Sequence, residues 1–115
     1  MIVPIPMPLP SAANLREHWR VRAKRIKTQR ATVAMFLRGP APALPVVVTL
    51  TRIAPRALDD DNLQSAFKGV RDEVARWFGV PDNVPGIRWE YGQRRGAPKV
   101  YGIEVSVVSS VSCAG

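Results

Sequence analysis

The sequence predicts an α+β (mixed α/β) domain with two main helices packed on a mixed β-sheet, in the order β-α-β-α-β-β, ending in a C-terminal hairpin. Three observations predict it. Leu63, Ala66, Phe67, Val70, Val74 and Trp77 keep strict i, i+3/i+4 spacing, the strongest helical period in the chain. Residues 46–53 form a β-branched run, and residues 87–93 alternate apolar with polar, both strand signatures. A chain of 115 residues has length for one domain, and a fold of that size buries roughly two thirds of its unfolded surface.

The elements follow in order. Val3, Ile5, Met7 and Leu9 alternate with prolines at 4, 6, 8 and 10, a period-two pattern that cannot donate a regular hydrogen-bond ladder. It predicts an edge strand or extended lead-in. Ser11 and Asn14 are candidate caps for a helix over 13–38, in which Trp19, Ile26 and Val33 recur every seven residues and Ala23, Arg30 and Leu37 follow the same side. Arg16, Arg20, Lys24, Lys27 and Arg30 fall in an arc of about 120° beside that stripe. A Pro/Ala loop over 39–45 ends the helix, strand 46–53 follows, and residues 54–61 lead to the second helix, 62–78. Gly79 terminates it, and loop 80–86 carries Asp82 and Asn83. Strand 87–93 is expected to turn through Arg95-Gly96-Ala97-Pro98 and pair with a strand over 99–108. The domain spans 1–108, with 109–115 a frayed tail.

Composition narrows the chemistry. A single cysteine, Cys113, excludes a disulfide framework, and a single histidine, His18, excludes multi-histidine sites, so a metal here is held mainly by carboxylates. No stretch approaches the roughly 18 to 20 apolar residues of a membrane span, and the apolar start lacks a basic n-region. The expectation is a cytoplasmic protein with no membrane partner. The net charge of +8 is unevenly placed: residues 1–57 carry ten Lys/Arg against Glu17, a net +9, and residues 58–115 carry seven basic and eight acidic residues, a net −1. A basic half beside an acid-containing half suits a polyanion bound by one and processed by the other, or simply a soluble protein of high pI.

Asp59, Asp60 and Asp61 are consecutive at the mouth of the second helix. Capping explains one of them and stretches to two, with Asp61 and Gln64 at capping-box spacing. Three adjacent like charges repel unless neutralised. In an extended lead-in Asp59 and Asp61 face the same side and converge on one ion, for which hard oxygen ligands suit magnesium or manganese. Metal binding and capping both remain open. Asp82 is the other acid in a suitable place, yet a helix of about 16 residues separates it from Asp61 by roughly 24 Å unless the chain folds back or a partner subunit supplies it. Asp61, Ser65, Lys68 and Asp72 share one row of the helix, where Lys68 either pairs with Asp72 or reaches a phosphate oxygen.

Pro8-Leu9-Pro10-Ser11-x-x-Asn14, an apolar strand, Asp59-x-Asp61-Asn62-Leu63 opening a helix, an acid in the next loop and a final hairpin together resemble the RusA-type Holliday junction resolvases of bacteria and phages. The similarity covers about residues 2–108. The resemblance implies a small homodimeric endodeoxyribonuclease that cuts branched DNA with magnesium (or manganese) in recombination and repair, of the phage or mobile-element kind. It maps the metal-binding and catalytic acids onto Asp59, Asp61 and Asp82. The sequence departs from the family at two positions: Ser65 stands where its lysine usually follows the second aspartate by four residues, and Asp60 replaces a usually apolar residue. Lys68, one turn further, is taken as the catalytic cation. Asn14 and the row Arg16, Arg20, Lys24, Lys27 and Arg30 form the expected DNA-binding set, making sequence-independent phosphate contacts. The alternatives are a non-catalytic DNA- or RNA-binding protein on the same scaffold, or a structural subunit of a phage or mobile-element assembly.

Overall fold

The computed structural model describes residues 1–10 and 18–110. Ser11, Asn14 and Arg16, expected as caps and DNA contacts, lie outside the described residues, as does Cys113. The fold is α+β, with a mixed four-stranded sheet and three helices: β1 (Ile2–Ile5), α1 (Trp19–Phe36), β2 (Val46–Ala54), α2 (Asp60–Ala66), α3 (Lys68–Phe78), β3 (Ile87–Arg95) and β4 (Gly102–Ser109).

The expected second helix is α2 and α3 in succession. Phe67 separates them, its N–H shared between the Leu63 and Gln64 carbonyls at 3.2 Å each and its ring wholly buried. Gly79 caps α3 in the left-handed region at φ 75°, the conformation that only glycine adopts without cost.

The sheet order is β1-β4-β2-β3. β1 is an edge strand, antiparallel to β4, where Pro4 is tolerated. The expected C-terminal hairpin is not formed. β3 lies parallel to β2, while β4 pairs antiparallel on the opposite side of β2. The physical reason is the helical crossover: a strand that follows a long helical connection returns parallel to the strand before it. Residues 96–101 then step across the end of β2, with Gly96 N–H donating to the Ala54 carbonyl at 3.0 Å. A Cβ on Gly96 would meet the Val100 carbonyl oxygen at 3.0 Å, so this tight step needs glycine.

Alternation along β2 points Val46, Val48, Leu50, Arg52 and Ala54 to one buried face. Leu63, Phe67, Val70 and Val74 of the helices join Val46, Val48, Leu50, Val105 and Val107 in one core. α1 packs on α3 at Gly69, where an added Cβ would meet Ile26 Cγ2 at 3.1 Å. The inward side of α1 is Ile26, Gln29, Arg30, Val33 and Leu37. Trp19 and Ala23, expected on that seam, are exposed, Trp19 by 67%. The seven-residue repeat fixes a side of the helix, but residues 19–24 are exposed throughout among the described residues. His18 is the N-cap, its Nδ1 accepting from Arg20 N–H at 3.2 Å. β4 extends to Ser109, and Ser110 N–H donates to the Pro45 carbonyl, so the expected tail begins later than 109. Among the described residues, no helix is long and apolar enough to cross a membrane.

Candidate functional site

The acidic helix start is positioned by the polar end of the sheet. On the buried face of β2 and β3 the apolar rows give way to Arg52 and Gln93, which are register partners. The Gln93 side-chain amide holds Leu58 from both sides, accepting from its N–H at 2.9 Å and donating to its carbonyl at 2.6 Å. Leu58 directly precedes Asp59, so β3 fixes where α2 begins.

Asp59 is the N-cap of α2, with Oδ1 accepting from Asn62 N–H at 3.0 Å. The capping role expected of Asp61 therefore belongs to Asp59. Asp60 and Asp61 are the first two helical residues, exposed, and near enough to the helix N-terminus for their charge to favour the helix dipole. The extended stretch ends at Asp59, so the alternation that was expected to align Asp59 with Asp61 does not continue through Asp61.

Loop 79–86 and β3 fold back along the helix and bring Asp82 beside α3. The Arg71 Nε donates to Asp82 Oδ2 at 2.9 Å, Nη1 to the Tyr91 hydroxyl at 2.9 Å, and Nη2 to the Asp82 carbonyl at 3.2 Å. The Arg71 guanidinium also lies 4.7 Å from the centroid of the Trp89 ring, whose Nε1 donates to the same Asp82 carbonyl at 2.7 Å. Burial opposes the Arg71 charge, but the Tyr91 and Asp82 partners outweigh it and raise its pKa above the ordinary value.

This network lines a shallow depression with Gln64, Ser65 and Lys68. Asp82 thus shares a depression with Ser65, one turn from Asp61, although neither Asp61 nor Asp59 lines it. Among the described residues, no three acids or histidines form a group close enough to hold a metal ion. The donor chemistry nevertheless suits magnesium, which takes few carboxylates and keeps waters. Asp59 keeps one carboxylate oxygen outside its cap, Asp82 keeps Oδ1, and Asp61 has no hydrogen-bond or ion-pair partner among the described residues.

Lys68 is exposed and, among the described residues, pairs with neither Asp72 nor any other acid, so the surface pair with Asp72 is not formed. It stands between two depressions, one shared with Ser65, Arg71, Asp82 and Tyr91 and the other with Arg22, Arg25, Gln29 and Asp72. On α1, Arg20, Lys24 and Lys27 are exposed, and Arg20 lies over the Trp19 ring at 5.1 Å. Arg30 is directed inward: its Nε pairs with the buried Glu73 at 3.2 Å, so it is a helix–helix tie. Arg71 is a site residue that no sequence pattern singles out. Its spacing of eleven from Asp82 gives no signal until the loop folds back.

No protein-family model matches the chain, and no curated protein is detectably similar to it.

Proposed function

We propose that the protein is a magnesium-dependent, structure-selective endodeoxyribonuclease that cuts branched DNA, resolving Holliday junctions as a homodimer in the cytoplasm during recombination or repair, in a phage or mobile-element setting. The observation that carries this reading is the return of Asp82 to the depression it shares with Ser65 and Lys68, one turn from Asp61. Asp59, Asp61 and Asp82 would hold the ion. When bound, magnesium (or manganese) supplies Lewis-acid polarisation of the phosphodiester.

The chain's own residues supply the rest. Lys68, unpaired among the described residues, offers its ammonium to the charge that builds on phosphoryl oxygens. Arg71 acts as a positioning residue, fixing Asp82 by its carboxylate and its carbonyl. Arg20, Lys24 and Lys27 hold duplex arms by phosphate contacts that carry no sequence information. A two-fold dimer matches the two-fold character of a four-way junction.

The test is incubation of the purified protein with a labelled four-way junction and a matching linear duplex, with and without magnesium. Junction cleavage that requires magnesium is expected. One observation favours a second reading, a non-catalytic nucleic-acid-binding protein: Asp59 is used as a cap and Asp82 as an ion-pair partner. Salt-sensitive junction binding without cleavage would select it.

A further inference from the structure

A second charged depression lies at the end of β2 and β3, on the other side of Leu58 from the acidic cluster. It encloses about 290 Å³ and is lined by Arg52, Arg56, Arg94 and Arg95 with Gln93, Ala54, Pro55 and Ala57. Four arginines line this space and no carboxylate does; the Arg94 side chain alternates with Gln93 onto the opposite sheet face, which leaves Arg52, Arg56 and Arg95 to charge the depression. Only Arg94 has an acid partner among the described residues, Glu104 on β4.

Arg52 is the unusual member. It is 7% exposed, on the buried face of a central strand, where an arginine is expensive to place. Its Nε donates to the Leu9 carbonyl at 2.8 Å and Nη1 to the Arg56 carbonyl at 2.6 Å, while Nη2 has no protein acceptor among the described residues. Those carbonyls satisfy hydrogen bonds but bring no negative charge. A purely structural Arg52 accounts for the two tethers. It does not account for Arg56 and Arg95, exposed and without acid partners among the described residues, on the rim of the same depression. Their mutual repulsion is relieved by an oxyanion, and guanidinium groups match phosphate geometry best.

We propose that this depression is a phosphate-binding subsite that seats a backbone phosphate of the nucleic-acid strand running past the acidic helix start. Ala57 in its wall is two residues from Asp59, at most about 7 Å along the chain, which is about two nucleotides of rise on one DNA strand at 3.4 Å each. The subsite therefore sets the register of the strand relative to Asp59 and Asp61. This rests on the nucleic-acid reading above for the source of the phosphate, while the pocket itself is tested with phosphate alone.

The experiment has two arms on the full-length protein. In the first, inorganic phosphate is titrated into ¹⁵N-labelled protein and arginine Nε–H resonances are followed. A saturable shift at Arg52, lost in the double variant Arg56→Gln/Arg95→Gln, is expected. Equal shifts over all arginines, or none at Arg52, overturn the proposal. In the second arm, binding of a labelled single-stranded oligonucleotide is measured against salt. The double variant is expected to lower the log–log slope by about 0.7 for the one lost phosphate contact, and Arg88→Gln, on the opposite sheet face, to leave it unchanged. Both altered side chains are exposed, and circular dichroism checks that the fold is kept. An unchanged slope overturns the proposal even where free phosphate binds. Cleavage measured in parallel separates the two readings: a phosphate-binding pocket without cleavage upholds the subsite and overturns the nuclease, and cleavage with an unchanged slope does the reverse.

Discussion

Replacing Arg71 by alanine removes a side chain that ties the loop after α3 to both the helix and β3. Three hydrogen bonds are lost, two to Asp82 and one to the Tyr91 hydroxyl, together with the contact over the Trp89 ring. A charge-assisted hydrogen bond contributes about 1.5 kcal/mol or more when shielded and a cation–π contact about 0.5–1. The Arg71 and Asp82 side chains are 27% and 37% exposed, so solvent screening cuts the sum substantially. The expected loss is about 2 kcal/mol, which at a urea slope of about 1.5 kcal/mol/M lowers the unfolding midpoint by about 1.3 M. Arg71→Lys keeps the charge but not the planar fork and should fall between alanine and wild type. Equilibrium urea unfolding, followed by tryptophan fluorescence and circular dichroism, measures both. The double variant Arg71→Ala/Asp82→Ala should be less destabilised than the sum of its singles, because the partners are in contact. A loss under about 0.5 kcal/mol for Arg71→Ala, or strict additivity, would refute the view that this arginine positions Asp82.

Asp61→Asn should leave stability within about 1 kcal/mol, since Asp59 and not Asp61 is the cap, yet abolish junction cleavage; Asp59→Ala should cost about 1 kcal/mol of stability as well. Arg20, Lys24 and Lys27 changed together to alanine should weaken junction and duplex binding alike and reduce the salt slope by up to about 0.9 per lost phosphate contact, whereas Arg30→Ala should act on stability through Glu73. Lys68→Ala should slow single-turnover cleavage by about 10² with junction affinity little changed; a fall in affinity alone would make it a plain phosphate contact. The hydrogen bond from Arg94 lowers the Glu104 pKa below its ordinary 4.5. A depressed folded-state pKa adds stability above the unfolded-state value that is lost as pH falls through the folded one, so Glu104→Gln should cost stability at neutral pH, cost little in acid where Glu104 is already protonated, and thereby flatten the acid side of the stability profile.

Much of the fold was legible because burial in this chain follows simple periods. Leu63, Val70 and Val74 face the core where their spacing puts them, the prolines in and just after β1 mark an edge, and Gly79 stops α3. Alternation says which face of a strand is buried and nothing about its neighbour. The alternation of Ile87, Trp89 and Tyr91 marks one face of a strand but not its partner, because the turn residues at 95–98 suit a hairpin as well as a step across the end of β2. Trp19 shows the matching limit for a helix, where a repeat continues past the partner that would have covered it.

The candidate site was legible in its acids and not in its cations, and the reason is range. Asp59 and Asp61 declare themselves by local spacing at a helix start. Arg71 reaches Asp82 only because β3 returns parallel to β2, and Arg52 is buried only because its acceptors, the Leu9 and Arg56 carbonyls, are brought to it by β2 and the turn beyond it. In a strand of valines and threonines an arginine reads as a solvent-facing interruption, yet its register places it between Ile103 and Gln93 on the inner face. The same parallel crossover that defeats the hairpin expectation thus returns Asp82 to the side of α3 and brings Gln93 to Leu58. One topological fact accounts for both, so a variant that loosened the β2–β3 pairing should uncouple the acidic helix start and Asp82 together, and not one without the other.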